Sequence, residues 1–223
     1  MSNHNILTLD KLSLHDFDTE ADLIPLLTPE DEEEMANEEL PNSLAILPLR
    51  NTVLFPGVVI PITAGRDKSI KLINDANAAG KVIGVVAQKD EDVEDPKRDD
   101  IHSIGTVAQI LRVLKMPDGN VTVILQGKKR FEITKVISEE PYLNALVKEV
   151  PEKRPSKTDT EFGAIIESIK EMAIRIIKES PNIPTEATFA IKNIESQSFL
   201  INFVSSNMNL DVKEKQSLLM MNI

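Results

Sequence analysis

The chain has 223 residues, 41% of them hydrophobic and 27% charged, an ordinary balance for a globular protein long enough for one large or two small cores. It has no apolar run near the roughly 18 residues of a membrane span, no basic and apolar leader of the secretory kind, and no cysteine, which excludes disulfides and thiolate metal sites. The formal charge of −11 is local: eleven acids lie between Asp16 and Glu39 with no Lys or Arg among them, and the near-neutral remainder argues against nucleic-acid binding through a basic surface. Together these features predict a cytoplasmic protein.

Residues 1–42 combine weak periodicity with many carboxylates, which predicts a disordered acidic arm holding at most a transient helical turn near Asp22–Leu27. The arm reads either as a solubilising leader or as a mobile segment that screens a binding face. From Ser43 to Val150 the pattern turns to short β-rich runs. Ala45–Leu49 and Val58–Ile62 are strands, and Arg66–Ala79 has the spacing of a helix stopped by Gly80. Lys81–Gln88 reads as a continuously buried strand, followed by a charged, exposed loop over Lys89–Asp100.

Ile104–Leu114 and Val121–Leu125 flank Met116-Pro117-Asp118-Gly119-Asn120, the chemistry of a tight hairpin. Gly127 turns or bulges the returning strand before Phe131 and Ile133, and Leu143, Ala145 and Val147 give a last alternating strand. Six or seven short strands with one helix after the second predict an α+β fold built on a small closed or nearly closed barrel.

Pro151–Lys157 reads as a linker. Thr158 and Glu161 have capping-box spacing ahead of the stripe Phe162, Ile165, Ile166, Ile169, Met172, Ala173, Ile176, Ile177, a helix that Ser180-Pro181 ends. Further helices are expected over Glu186–Ile194, Gln197–Ser205 and Val212–Met221, giving a small helical bundle. The stripe is either its core or a groove for a partner helix.

Catalytic patterns are missing from the sequence. Gly80-Lys81 lacks the first glycine and the hydroxyl of a phosphate loop, and no Gly-x-Ser-x-Gly elbow occurs. His4, His15 and His102 have no ligand spacing, and the Glu30–Glu34 run lacks a glycine-punctuated calcium loop. With 4% aromatics and no Trp, stacking on single-stranded nucleic acid is disfavoured. No catalytic, cofactor-binding or metal-binding residue is therefore assigned, and the chain is not expected to be an enzyme by itself.

Three groups of residues resemble one family. Leu47-Pro48-Leu49-Arg50 with Phe55, Pro56, Pro61, Gly65, Arg66 and Ser69 matches the opening of the amino-terminal domain of the Lon family of ATP-dependent serine proteases. Val85-Val86-Ala87-Gln88-Lys89 matches a later strand end, and Gly105, Thr106, Ala108, Ile110, Lys115, Pro117, Asp118, Gly119, Gly127 and Arg130 match the hairpin segment. Lys213-Glu214-Lys215-Gln216-Ser217-Leu218-Leu219 resembles the stretch before the family's long helix, so more helix is expected past Ile223.

The resemblance implies a six-stranded pseudo-barrel related to the PUA domain, followed by a helical subdomain. The division is an arm over 1–42, a barrel over 43–150, a linker over 151–157 and helices over 158–223. It also implies a substrate-recognition and assembly segment of a protease that degrades misfolded, abnormal and short-lived regulatory proteins. ATP, Mg and a Ser–Lys dyad would belong to the parent protein beyond Ile223, and the partners would be unfolded or tagged proteins and further copies in a homohexamer. A stand-alone interaction module of the same fold, without ATPase or protease, is the alternative. Capture of unfolded chains needs exposed, pliable apolar groups. The candidates are Leu54, Phe55 and Pro56 at a Pro-Gly turn, with Leu114 and Met116 beside the hairpin reversal. Phe55 can equally fold under its own loop, and Met116 can serve as a strand-end residue.

Overall fold

A computed structural model describes residues 28–152, 159–180 and 186–221. The strands are β1 (Ser43–Leu49), β2 (Val59–Ala64), β3 (Val82–Ala87), β4 (Ile104–Lys115), β5 (Val121–Ser138) and β6 (Asn144–Glu149). Helix α1 (Pro29–Asn37) precedes them and α2 (Asp67–Ala78) lies between β2 and β3. Helices α3 (Thr160–Glu179), α4 (Glu186–Asn193), α5 (Gln197–Asn207) and α6 (Val212–Met220) follow. The six-stranded sheet runs β2-β5-β4-β3-β1-β6, and β6 pairs again with β5, so five strands close into a ring with β2 added to the first half of β5. β1 and β3 are parallel; the other pairings are antiparallel. The expected barrel, with its helix inserted after the second strand, is the fold observed.

The two runs expected at Val121–Leu125 and around Phe131 are one long strand. Between the pairs Thr106↔Arg130 and Ala108↔Gly127, Val107 alone faces both Lys128 and Lys129. This bulge bends β5, so that its first half pairs with β2 and its second with β6. Ile46, Val86, Val107, Phe131, Ile133 and Ala145 form one core cluster, with Phe131 fully buried. A Cβ on Gly84 would lie 2.8 Å from the tip of the Phe131 ring, and one on Gly105 would lie 2.3 Å from the Val85 carbonyl oxygen. The two glycines therefore open the space that the ring fills. On the other side of the sheet, Leu47, Leu49, Ile83, Val85 and Ala87 pack in a second cluster with Leu72 and Ile73 of α2. Helix α2 stops as expected: Gly80 has φ +118° and the Lys81 N–H reaches the Ala76 carbonyl at 2.9 Å.

Two readings of local structure change. The acidic arm contains a capped helix: Thr28 accepts from the Asp31 N–H, Asp31 returns the bond to the Thr28 N–H, and Met35 is buried. A capping box and one apolar anchor outweigh the acidic composition over this stretch. The remainder of the arm, with the turn expected at Asp22–Leu27, lies outside the described residues, as does most of the linker. At α3 the cap is Asp159, whose carboxylate accepts from the Phe162 N–H at 3.0 Å, and not Thr158. The helix begins one residue later than the capping-box reading required, so Asp159 holds the capping position.

The helical part docks through polar as well as apolar contacts. Arg130, 3% exposed, donates from Nη1 to Glu152 and from Nη2 to Asn202 of α5, each at 3.1 Å. Gln216 of α6 donates to the Ile104 carbonyl at 2.9 Å. Helix α3 is less enclosed. Ile166 is buried, Phe162, Ile169, Ala173 and Ile177 are half-buried, and Ile165, Met172 and Ile176 are exposed. The stripe thus serves as core along one edge only. Among the described residues no helix is long and apolar enough to cross a membrane.

Gly105→Ala is expected to lower unfolding free energy by about 2–3 kcal/mol through overpacking. Gly163→Ala, where an added Cβ on α3 meets nothing within 4 Å, is expected to raise it by about 0.5–1 kcal/mol. Asn202→Ala leaves a buried guanidinium short of an acceptor and is expected to cost about 2–4 kcal/mol. Urea titration of each variant followed by circular dichroism measures all three.

Candidate functional site

The residues of the sequence motifs assemble into two clusters. In the first, the loop over residues 54–58 folds back onto β4 and β5. The Thr106 hydroxyl donates to the Leu54 carbonyl at 2.6 Å, the Gly57 N–H to the Gly127 carbonyl and the Gly127 N–H to the Val58 carbonyl, each at 2.9 Å. Gly57 has φ +79°, and a Cβ on Gly127 would sit 2.2 Å from the Phe55 carbonyl oxygen. Only glycine lets the loop approach so closely. Leu54 and Phe55 are consequently buried, at 2% and 1% exposure. Neither offers surface to a partner; Phe55 lies under its own loop.

In the second cluster, Arg66 precedes α2 as its N-cap residue and reaches back to β1 and β3. Its guanidinium donates to the Pro48 carbonyl at 2.9 Å, the Gln88 amide oxygen at 2.8 Å and the Glu94 carbonyl at 3.3 Å. Gln88, itself buried, donates to the carbonyls of Asp90 and Val93. Burial pulls the Arg66 pKa below its ordinary value and Arg50 adds to this, while Glu94 and Asp95 oppose it. The charged loop after β3 is tied down further by Arg50–Glu94 at 2.7 Å and Lys68–Asp95 at 3.1 Å. These bonds account for the matched arginine and glutamine as structural groups.

A cleft of about 230 Å³ opens where barrel, α1 and α5 meet. Met35, Pro56 and Phe199 are among its apolar lining residues, and Lys128, Arg130 and Glu152 are among its charged ones. Lys128 pairs with Glu38 at 3.1 Å and Lys129 with Glu149 at 3.3 Å. Such a site can hold a polypeptide segment by apolar contact and ion pairing. Its lining, among the described residues, includes no Ser, Thr, Cys or His that could act as a nucleophile. Among the described residues no group of three or more His, Cys, Asp or Glu could hold a metal ion.

Of the candidate surface residues, Pro56 is half-buried and lines the cleft. Leu114 and Met116 are half-buried at the β4–β5 reversal, where Leu114 is level with Thr122. Gly127, beside Pro56–Gly57, lies five residues further along β5, about 17 Å at strand rise. The structure therefore separates the two halves of the candidate set. The sequence reading overlooked Met35, Arg130, Phe199 and Asn202 as residues of this region. Arg130 did carry a signal, since a charge directly before Phe131 in an apolar strand calls for a buried partner.

Known proteins resemble this chain in sequence and in fold. Residues 43–222 match the family described as the ATP-dependent protease La (LON) substrate-binding domain. The chain is 79% identical over 222 residues to a Lon protease of Flavobacterium johnsoniae, covering 100% of this chain and 27% of that protein. It is 50% identical over 203 residues to a Lon protease of Cytophaga hutchinsonii, covering 91% of this chain and 25% of that one. The chain thus spans about a quarter of the length of these relatives. The N-terminal domain of a Mycobacterium avium complex Lon protease has the same fold, with TM-score 0.65 at 22% identity over 80% of this chain and 90% of that one. A Lon N-terminal domain protein from Xanthomonas campestris gives TM-score 0.58 at 17% identity over 82% and 92%. With the family matched from β1 through α6, this chain belongs to the Lon substrate-binding domain family.

Proposed function

We propose that this chain is the client-recognition segment of a Lon-type ATP-dependent serine protease and performs no catalysis itself. The observation that carries the reading is the family match over residues 43–222, joined to a cleft with an apolar wall and an ion-paired rim. Clients of this kind are misfolded, abnormal or short-lived regulatory proteins, distinguished from native ones by exposed apolar side chains. The parent protein would work in the cytoplasm, use ATP and Mg to move the captured chain, and cut it at a Ser–Lys dyad encoded beyond Ile223. Assembly as a homohexameric ring lets weak contacts by single domains combine through effective concentration.

Two patches serve the client. One is the cleft beside Pro56; the other is the hairpin end with Leu114 and Met116. Their separation suits an extended chain better than a compact one, since about five extended residues span the gap. Nucleic acid and membrane are not the expected partners.

The test is fluorescence anisotropy of one labelled protein in native and denatured forms, titrated with this chain. The denatured form should bind at least about tenfold more tightly, a difference near 1.4 kcal/mol; equal binding, or none, rejects the reading. Leu114→Ser and Met116→Ser should each weaken binding by about 3–10-fold with an unchanged melting curve. Phe55→Ala should instead lower stability by about 3–5 kcal/mol, because the ring is core.

A further inference from the structure

Helix α1 is seated between the barrel and α5 by three side chains at a spacing of three residues. Glu32 Oε2 accepts from the Ser196 hydroxyl at 2.6 Å, and Ser196 in turn caps α5 by accepting from the Phe199 N–H at 3.0 Å. The Glu32 carboxylate therefore stands at the positive end of an eleven-residue helix. Met35 is 8% exposed and packs in the cluster that contains Ile191, Ile194 and Phe199. Glu38, at the end of α1, accepts from Lys128 at 3.1 Å, and only 16% of the Lys128 side chain is exposed. Glu32, Met35 and Glu38 lie on one helical face, as positions three apart do.

From this seat we infer a binding site for short helical segments of the pattern acid-x-x-apolar-x-x-acid, which α1 occupies in cis. The site itself belongs to the folded body: the α5 N-terminus with Ser196, the apolar floor at Phe199, and Lys128 on the β5 bulge. Its present occupant is weakly held. Nine residues are too few for a helix to stand alone, and among the described residues Met35 is the one buried apolar anchor that α1 brings. A second segment with the same three groups can take its place. Because Met35 and Ala36 also line the 230 Å³ cleft, release of α1 widens that cleft. The acidic arm thereby reports on acid-flanked apolar partners. Its use in gating clients rests on the reading given above, but the seat does not.

The test uses the intact chain and a fluorescent peptide spanning residues 28–40. Two variants release α1 in cis: Met35→Asp, and the double change Glu32→Lys with Glu38→Lys, which replaces no buried apolar residue. Both released chains should bind the peptide at least tenfold more tightly than the unmodified chain, and added salt should weaken that binding. Lys128→Glu in the Met35→Asp chain should abolish binding, and a peptide carrying Glu38→Lys should restore it. Equal binding by released and unmodified chains overturns the inference, as does no binding by either released chain or no rescue by charge exchange. If the peptide binds released chains and denatured protein does not, the seat stands and the client reading falls. If denatured protein binds and the peptide does not, the seat falls and the client reading stands.

Discussion

A guanidinium can be buried only where acceptors surround it, and Arg130 makes that requirement the organising constraint of this molecule. It lies directly after the bulge in β5, which brings the strand from its β2 partner to its β6 partner. Its acceptors come from the segment just after β6 and from α5, so its satisfaction demands that the barrel close and that the helices dock. One donor, Nε, has no partner among the described residues, and neither has the Gln216 amide oxygen at the neighbouring contact. The seam between barrel and helices is thus specified by polar groups and incompletely satisfied by them. Such a seam favours a definite orientation over maximal stability.

The barrel was legible because its signals are local. Alternation in β6, continuous burial in β3 and the Pro-Asp-Gly reversal each act within a few residues, and the helix stop at Gly80 follows from one backbone conformation. The candidate surface was harder to read, because exposure is decided by distant chain. Phe55 sits in a Pro-Gly turn and would be exposed in an isolated loop. Thr106 and Gly127, about fifty and seventy residues away, pull that loop onto the sheet. Helix α1 was hidden for a related reason. Its run of acids suggests a solvated chain, and only Thr28, Asp31 and Met35 argue otherwise. The weight of Met35 depends on α5, more than 160 residues later.

The matched motif residues divide by the work they do. Arg66, Gln88, Thr106 and Gly127 hold loops against the sheet, so their presence reports the fold and says little about what is bound. The exposed apolar groups are elsewhere: Ile165, Met172 and Ile176 along α3, Phe189 on α4, and Met220 and Met221 at the end of α6, while Leu114 and Met116 at the hairpin end are half-buried. Such a domain can therefore keep one scaffold while its surface residues vary, since most of the scaffold bonds run to backbone carbonyls that are indifferent to side-chain identity.

The placement of Arg130 also has a mechanical consequence. Any load on the helical half that passes through Asn202 enters the barrel midway along its longest strand, which is hydrogen-bonded along both edges. Tension applied there shears several ladder bonds at once and cannot unzip them singly from an end. The helical half is thereby joined to the barrel at the middle of a strand held on both sides, and not at a strand end.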